Sequence, residues 1–156
     1  MKKKLLIFIP AILVVIIVAV IIMAKSNSIS PLSWNSHDPV YTEKGVAIKG
    51  YDPVAFHTEN KAVKGDETYS FDWNGATWQF ASSNNLETFQ TNPEKYAPQF
   101  GGYCAFAVSK GFTAEVDPEH WLVKDDKLFI FSNEEVLNDW KKDEANLEKS
   151  ASEQWN

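Results

Sequence analysis

The hydrophobic pattern divides the chain into one long apolar run and a mixed remainder. Residues 5–24 are apolar without a break, and Lys2, Lys3 and Lys4 precede them. A run of 20 apolar residues is long enough to cross the hydrocarbon core of a bilayer as a helix. The pattern therefore predicts one N-terminal transmembrane helix, within a signal anchor over residues 1–25. By the positive-inside rule the lysines stay cytoplasmic, so the following domain is expected outside the cytoplasm, in the periplasm or at the cell surface.

A cleaved signal peptide is the alternative, because Ala24-Lys25-Ser26 resembles a small-x-small cleavage site. The apolar cores of signal peptides span about 7 to 15 residues, which favours the retained anchor. The retained anchor predicts a single-pass protein of the cell membrane that contacts the bilayer through residues 5–24. Residues 26–44 are polar and show no sustained period, which predicts a linker ahead of a domain over residues 45–156.

Alternating apolar residues predict a β-hairpin around Asn74-Gly75, since this pair favours the positive φ angles of a type I′ turn. A two-residue loop would place Phe71 opposite Trp78 and Tyr69 opposite Phe80. The resulting aromatic face is expected to form the floor of the core, because a small domain must bury such a face. Stacking on a sugar or a flat cofactor is the alternative interpretation.

A second hairpin and several helices complete the predicted elements. Residues 121–123 and 128–131 are apolar and flank a polar turn. Ser82 and Asn92 are candidate N-caps of two short helices, and Ser132-x-x-Glu135 is a capping box that predicts a long C-terminal helix. Because strands and helices are interleaved without strand-helix-strand repeats, we expect an α+β fold, a small antiparallel sheet with packed helices and that long C-terminal helix.

Charge excludes one class of partner. The 15 basic residues are all lysine, and four of them lie within the first 25 positions, which leaves 11 against 21 acidic residues and a net charge of −10 beyond Lys25. Such an acidic domain repels phosphate backbones, so nucleic acid is not an expected partner. The chain has one cysteine, Cys104, and so forms no internal disulfide.

Several separated motifs resemble those of YHS-domain proteins of the exported bacterial type, and the resemblance covers about Val46 to Trp155. The motifs are Gly50-Tyr51-Asp52-Pro53-Val54-Ala55-Phe56, Trp78-Gln79-Phe80-Ala81-Ser82, the stretch from Asn92 to Ala105 with its Gly101-Gly102-Tyr103-Cys104 core, and Asp117-Pro118-x-x-Trp121. Shorter YHS domains occur in metal-handling proteins, and the resemblance implies that thiolates there hold a soft metal such as copper. In this chain the corresponding cysteine positions fall on Ala55, Ala81 and Asn85, so metal binding does not carry over directly.

A replacement metal site is predicted at Cys104, with His57 as imidazole partner and His120 or Asp52 completing the ligand set; a copper ion is the expected cofactor. Two interpretations compete with it. Cys104 packs as a small hydrophobe on an inward strand face, in a structural or protein-interaction domain, or it acts as a thiol redox group activated by His57. Catalysis ranks below binding, because the chain has no resolving cysteine and no nucleophile elbow. Asp52 is expected to be a turn residue rather than an acid catalyst.

Overall fold

Short strands and helices alternate irregularly in this computed structural model, which describes residues 13–23 and 29–155. Residues 13–23 are helical and are called α1. The strands are β1 (Ser30–Pro31), β2 (Thr42–Glu43), β3 (Val46–Ala47), β4 (Asp66–Trp73), β5 (Ala76–Phe80), β6 (Phe112–Thr113), β7 (Asp117–Lys124) and β8 (Lys127–Phe131). The further helices are α2 (Pro53–Thr58), α3 (Ser83–Thr91), α4 (Pro93–Tyr96), α5 (Ala105–Ser109), α6 (Glu134–Lys142) and α7 (Glu144–Trp155). Three 3₁₀ turns span Leu32–Trp34, Ile48–Gly50 and Gln99–Gly102.

The architecture is α+β, with small sheets and helices packed on them. In the described ranges the strands form a four-stranded sheet of order β2-β3-β5-β4 and two two-stranded sheets, β1-β6 and β7-β8. The sequence predicted an antiparallel sheet, but the larger sheet is mixed, because β3 runs parallel to β5. After β3 the chain passes through α2 and β4, and β5 then returns to lie beside β3 in the parallel direction.

The predicted N-terminal transmembrane helix is wrong. Within residues 13–23 and 29–155, no helix is both long enough and apolar enough to cross a membrane. The remaining residues of the predicted 5–24 run lie outside the described residues.

Part of the predicted linker packs on the domain. β1 pairs with β6, with Pro31 opposite Phe112, and the amide of Leu32 donates to the carbonyl of Gly111 at 2.9 Å. Leu32, Val40 and Tyr41 are buried. Scattered apolar residues without a period gave no signal for this packing, because each one is held by a partner distant in sequence.

Both predicted hairpins form, and the first has a different register at its far end. Phe71 lies opposite Trp78 as predicted, but Phe80 pairs with Asp66 instead of Tyr69, because the register shifts between Asp66 and Ser70. Trp78 and Phe80 are fully buried, which makes this face the floor of the core. In the second hairpin Val123 faces Leu128 across a turn at residues 125–126.

Helix α3 covers the aromatic face of the first hairpin. Ser82 caps α3 by accepting from the amide of Asn85, as the sequence predicted. The ring of Phe89 lies 5.2 Å from that of Trp78 and 5.1 Å from that of Phe80, measured between centroids. These contacts form the part of the core that lies between α3 and the four-stranded sheet.

The long C-terminal helix is interrupted, and its cap is shifted by one residue. Asn133, not Ser132, accepts from the amide of Val136, while the Ser132 hydroxyl donates to the carbonyl of Glu115. α6 ends at Lys142, and the carboxylate of the following residue, Asp143, accepts from the side-chain amide of Asn146 at 2.7 Å. Asp and Asn compete for local backbone and side-chain hydrogen bonds, which favours a helix boundary at this point.

Candidate functional site

The carboxylate of Asp52 is the most densely bonded side chain near the predicted site. Asp52 is fully buried and caps α2, with Oδ1 accepting from the amides of Val54 at 2.8 Å and Ala55 at 3.3 Å. Its Oδ2 accepts from the amide of Ala81 at 2.8 Å and from the side-chain amide of Asn85 at 2.6 Å. We call this set of hydrogen bonds the Asp52 node.

The Asp52 node gathers the three positions on which the resemblance implied cysteines of shorter domains to fall. Ala55, Ala81 and Asn85 all donate to the one carboxylate. These three positions therefore share one buried hydrogen-bond acceptor. The sequence predicted Asp52 as a turn residue, and the role of Asn85 was missed because its partner lies 33 residues away.

Cys104 lies in the core. Its side chain is 2% exposed, and it occupies the N-cap position of α5. Its amide donates to the carbonyl of Ala114 at 3.2 Å, and its carbonyl accepts from the amide of Val108 at 3.0 Å. The predicted strand through Cys104 and Val108 is wrong, because Ala105–Ser109 is helical. Two buried positions four residues apart suit one face of a helix as well as one face of a strand.

The two glycines before Cys104 allow a close approach of the chain to itself. Gly101 has a φ of +61°, and its carbonyl accepts from the amide of Tyr41 at 2.8 Å. A Cβ at Gly101 would collide with the backbone oxygen of Pro39. Tyr103 packs its ring 5.6 Å from that of Tyr41, and burial raises the pKa of Tyr103 to about 12. The motif therefore binds the segment before β2 to the domain.

His57 lies near the end of α2 and is half-buried. Its ring meets that of Tyr96 edge-on at 5.4 Å, and its Nε2 is buried without a hydrogen-bond partner among the described residues. Burial lowers the pKa of His57 below its usual 6.5, and the nearby charge of Lys95 lowers it further. A hydrogen bond with the Tyr96 backbone and the charge of Asp126 act in the opposite direction. These surroundings therefore favour the neutral imidazole over its protonated form.

His120 lies on β7, where its Nε2 is 3.7 Å from Oδ2 of Asp117. Within residues 13–23 and 29–155, no group of three or more His, Cys, Asp or Glu side chains is placed to hold a metal ion. The structure thus does not assemble Cys104, His57 and His120 as one ligand set. Their assignment as individual metal ligands stays a prediction.

The fold and site together define a small α+β domain whose buried polar centre is a hydrogen-bonded carboxylate. Residues 54–100 match the family model of the YHS domain. The resemblance predicted from the sequence is therefore confirmed for this segment, which contains His57. Comparison with curated proteins gave no match, and comparison with solved structures gave none either.

The matched residues end just before Gly101-Gly102-Tyr103-Cys104. The exported bacterial type, the location outside the cytoplasm and the membrane as a partner stay predictions.

Proposed function

We propose that this chain is a non-catalytic YHS-domain module, with a structural or protein-interaction role, in which Cys104 is a packing residue. The observation that carries the proposal is the burial of the Cys104 side chain, which is 2% exposed. A reactive or metal-binding thiolate needs access to solvent or to a ligand. A buried free cysteine behaves as a small hydrophobe.

The Asp52 node supports the same conclusion. Where sulfur ligands would converge in a metal-binding YHS domain, Asp52 already accepts four hydrogen bonds from within the chain. A metal ion at this point would have to replace those bonds and leave buried donors unpaired, which costs about 1–3 kcal/mol for each group. The polar groups of the Asp52 node thus satisfy one another within the chain.

Alkylation of Cys104 tests the proposal. In the full chain we expect a small maleimide to label Cys104 at least about 100-fold more slowly under native conditions than in denaturant, because labelling requires local opening. Mass spectrometry of samples quenched at successive times measures both rates.

A matched control shows that the reagent itself is not limiting. The double variant Cys104→Ala, Gln90→Cys carries one thiol at an exposed position of α3. It should be labelled at nearly equal rates in both conditions. Native labelling of Cys104 as fast as that of this control would disprove the packing role.

One observation favours a soft-metal function as the second candidate. The Nε2 atom of His57 is buried and has no partner among the described residues, and a neutral imidazole nitrogen is a good ligand for copper. In this alternative Cys104 supplies the soft sulfur and His57 or His120 supplies nitrogen.

Anaerobic titration with Cu(I) against a chromophoric chelator separates the two candidates. If Cys104 only packs, the wild type and its variants compete equally with the chelator for Cu(I). The variants are Cys104→Ser, His57→Ala and His120→Ala. Equimolar uptake by wild type that Cys104→Ser abolishes and His57→Ala weakens would establish the metal function instead.

A further inference from the structure

We propose that the domain rests on a lipid bilayer through three exposed side chains, Ile29, Trp34 and Phe112, which we call the apolar face. Among residues 13–23 and 29–155, every large hydrophobic side chain that is exposed belongs either to α1 or to this face. Trp34 is 72% exposed, Phe112 is 45% exposed and Ile29 is 42% exposed. All three line the same groove, which has a volume of about 790 Å³.

The apolar face is held in position by backbone pairing. Ile29 directly precedes β1, which pairs with β6, the strand that contains Phe112. Trp34 ends the 3₁₀ turn that follows β1, and the amide of Leu32 at the start of that turn donates to the carbonyl of Gly111. Pairing of β1 with β6 therefore brings these three positions to one part of the surface.

The groove is also lined by α1, and the apolar surface of α1 indicates lipid as the partner. Val20 and Ile21 of α1 line the same groove as Trp34 and Phe112. Residues 13–23 contain only apolar side chains, and all the large ones among them are roughly half exposed or more. A helix that is apolar all round requires an apolar surrounding. Protein interfaces carry a polar rim and hydrogen bonds, whereas lipid hydrocarbon needs neither, so the absence of polar groups on these residues of α1 favours lipid.

Polar side chains also line the groove, as expected at the surface of a bilayer. They include Ser30, Ser36, His37 and Asp38, and the lining contains no lysine. An aromatic side chain with a polar atom, such as the Trp34 indole, is stable where hydrocarbon meets head groups. Because the lining offers a carboxylate and no lysine, the contact is with the apolar boundary of the bilayer and does not require anionic lipid.

Quenching of Trp34 fluorescence by lipid tests the proposal. The full chain is reconstituted with phosphatidylcholine vesicles, with and without phosphatidylcholine that carries a nitroxide at a shallow acyl position. We expect the nitroxide to quench part of the tryptophan emission of wild type. Trp34→Phe should lose most of this quenched component, because the other five tryptophans are not on the apolar face.

Trp121→Phe is the matched control, since Trp121 packs against Phe56 with 5.2 Å between ring centroids and does not line the groove. It should retain the quenched component. A wild-type chain that is not quenched, or a Trp34→Phe variant quenched as strongly as wild type, would overturn the proposal. A lipid-free dimer that Trp34→Ser dissociates would also overturn it, by identifying a second copy as the occupant. None of these results depends on the reactivity of Cys104.

Discussion

The carboxylate of Asp52 joins segments that are far apart in sequence. Its donors Ala81 and Asn85 lie 29 and 33 residues further along the chain, while Val54 and Ala55 follow it directly. One buried side chain therefore sets the start of α2 and fixes it against the start of α3. Sequence pattern identified Asp52 as a local turn residue, but its distant partners follow from tertiary packing and have no local signal.

His57 should make the stability of the domain depend on pH. In the folded state burial lowers its pKa below 6.5, whereas in the unfolded chain the pKa is close to that value. As pH falls through the interval between these two pKa values, the unfolded state takes up the proton first. The contribution of neutral His57 to the free energy of unfolding should therefore be fully present above about pH 6.5. The free energy of unfolding should decrease as the pH falls below that value.

Urea unfolding of wild type and His57→Gln at about pH 7.5 and about pH 5 measures this contribution. His57→Gln should lose less stability than wild type between the two conditions, because its side chain does not titrate. His120→Gln is the control and should keep the wild-type difference. Identical pH dependence in wild type and His57→Gln would show that the imidazole is not held neutral by the fold.

Gly101, in the turn before α5, is required for two reasons, its positive φ and the lack of space for a Cβ. Comparison with Gly45 separates these two effects. Gly101 and Gly45 both have positive φ, at +61° and +84°. A Cβ at Gly101 would meet the backbone of Pro39, whereas nothing lies within 4 Å of a Cβ at Gly45. Gly45→Ala should therefore destabilise the domain by about 1 kcal/mol from backbone strain alone.

Gly101→Ala should cost about 2 kcal/mol or more, because the added methyl also displaces Pro39 and weakens the hydrogen bond from Tyr41 to Gly101. Chemical denaturation of both variants gives the comparison. Equal losses of stability would mean that the segment at Pro39 moves aside freely and that the close approach is not required.

Local signals predicted the elements better than their junctions. Asn74-Gly75 and the caps Ser82 and Asn92 act over a few residues, and each has the predicted role. The shifted register between Asp66 and Ser70 was not predictable from alternation, because it depends on how the strand fits the rest of the domain. The same holds for the break at Asp143.

At the scale of the whole molecule, the sequence predicted the α+β class and the YHS resemblance, but not the assembly of a site. Burial of Cys104 was one of the alternatives that the sequence left open, and the surroundings of His57 depend on contacts among α2, α4 and the β7-β8 turn. The apolar face was missed entirely, since Ile29, Trp34 and Phe112 are isolated apolar residues in polar stretches and only pairing of β1 with β6 gathers them.

The segment before β2 and the last turn of α7 meet at the loop that contains Gly101. The ring of His37 lies 4.8 Å from that of Trp155, and Trp155 also packs on Phe100 and Tyr103. Three segments distant in sequence are therefore braced against one another by a single indole ring. Loss of the Trp155 ring would loosen the segment before β2 and the Gly101 loop together, although neither is near it in sequence.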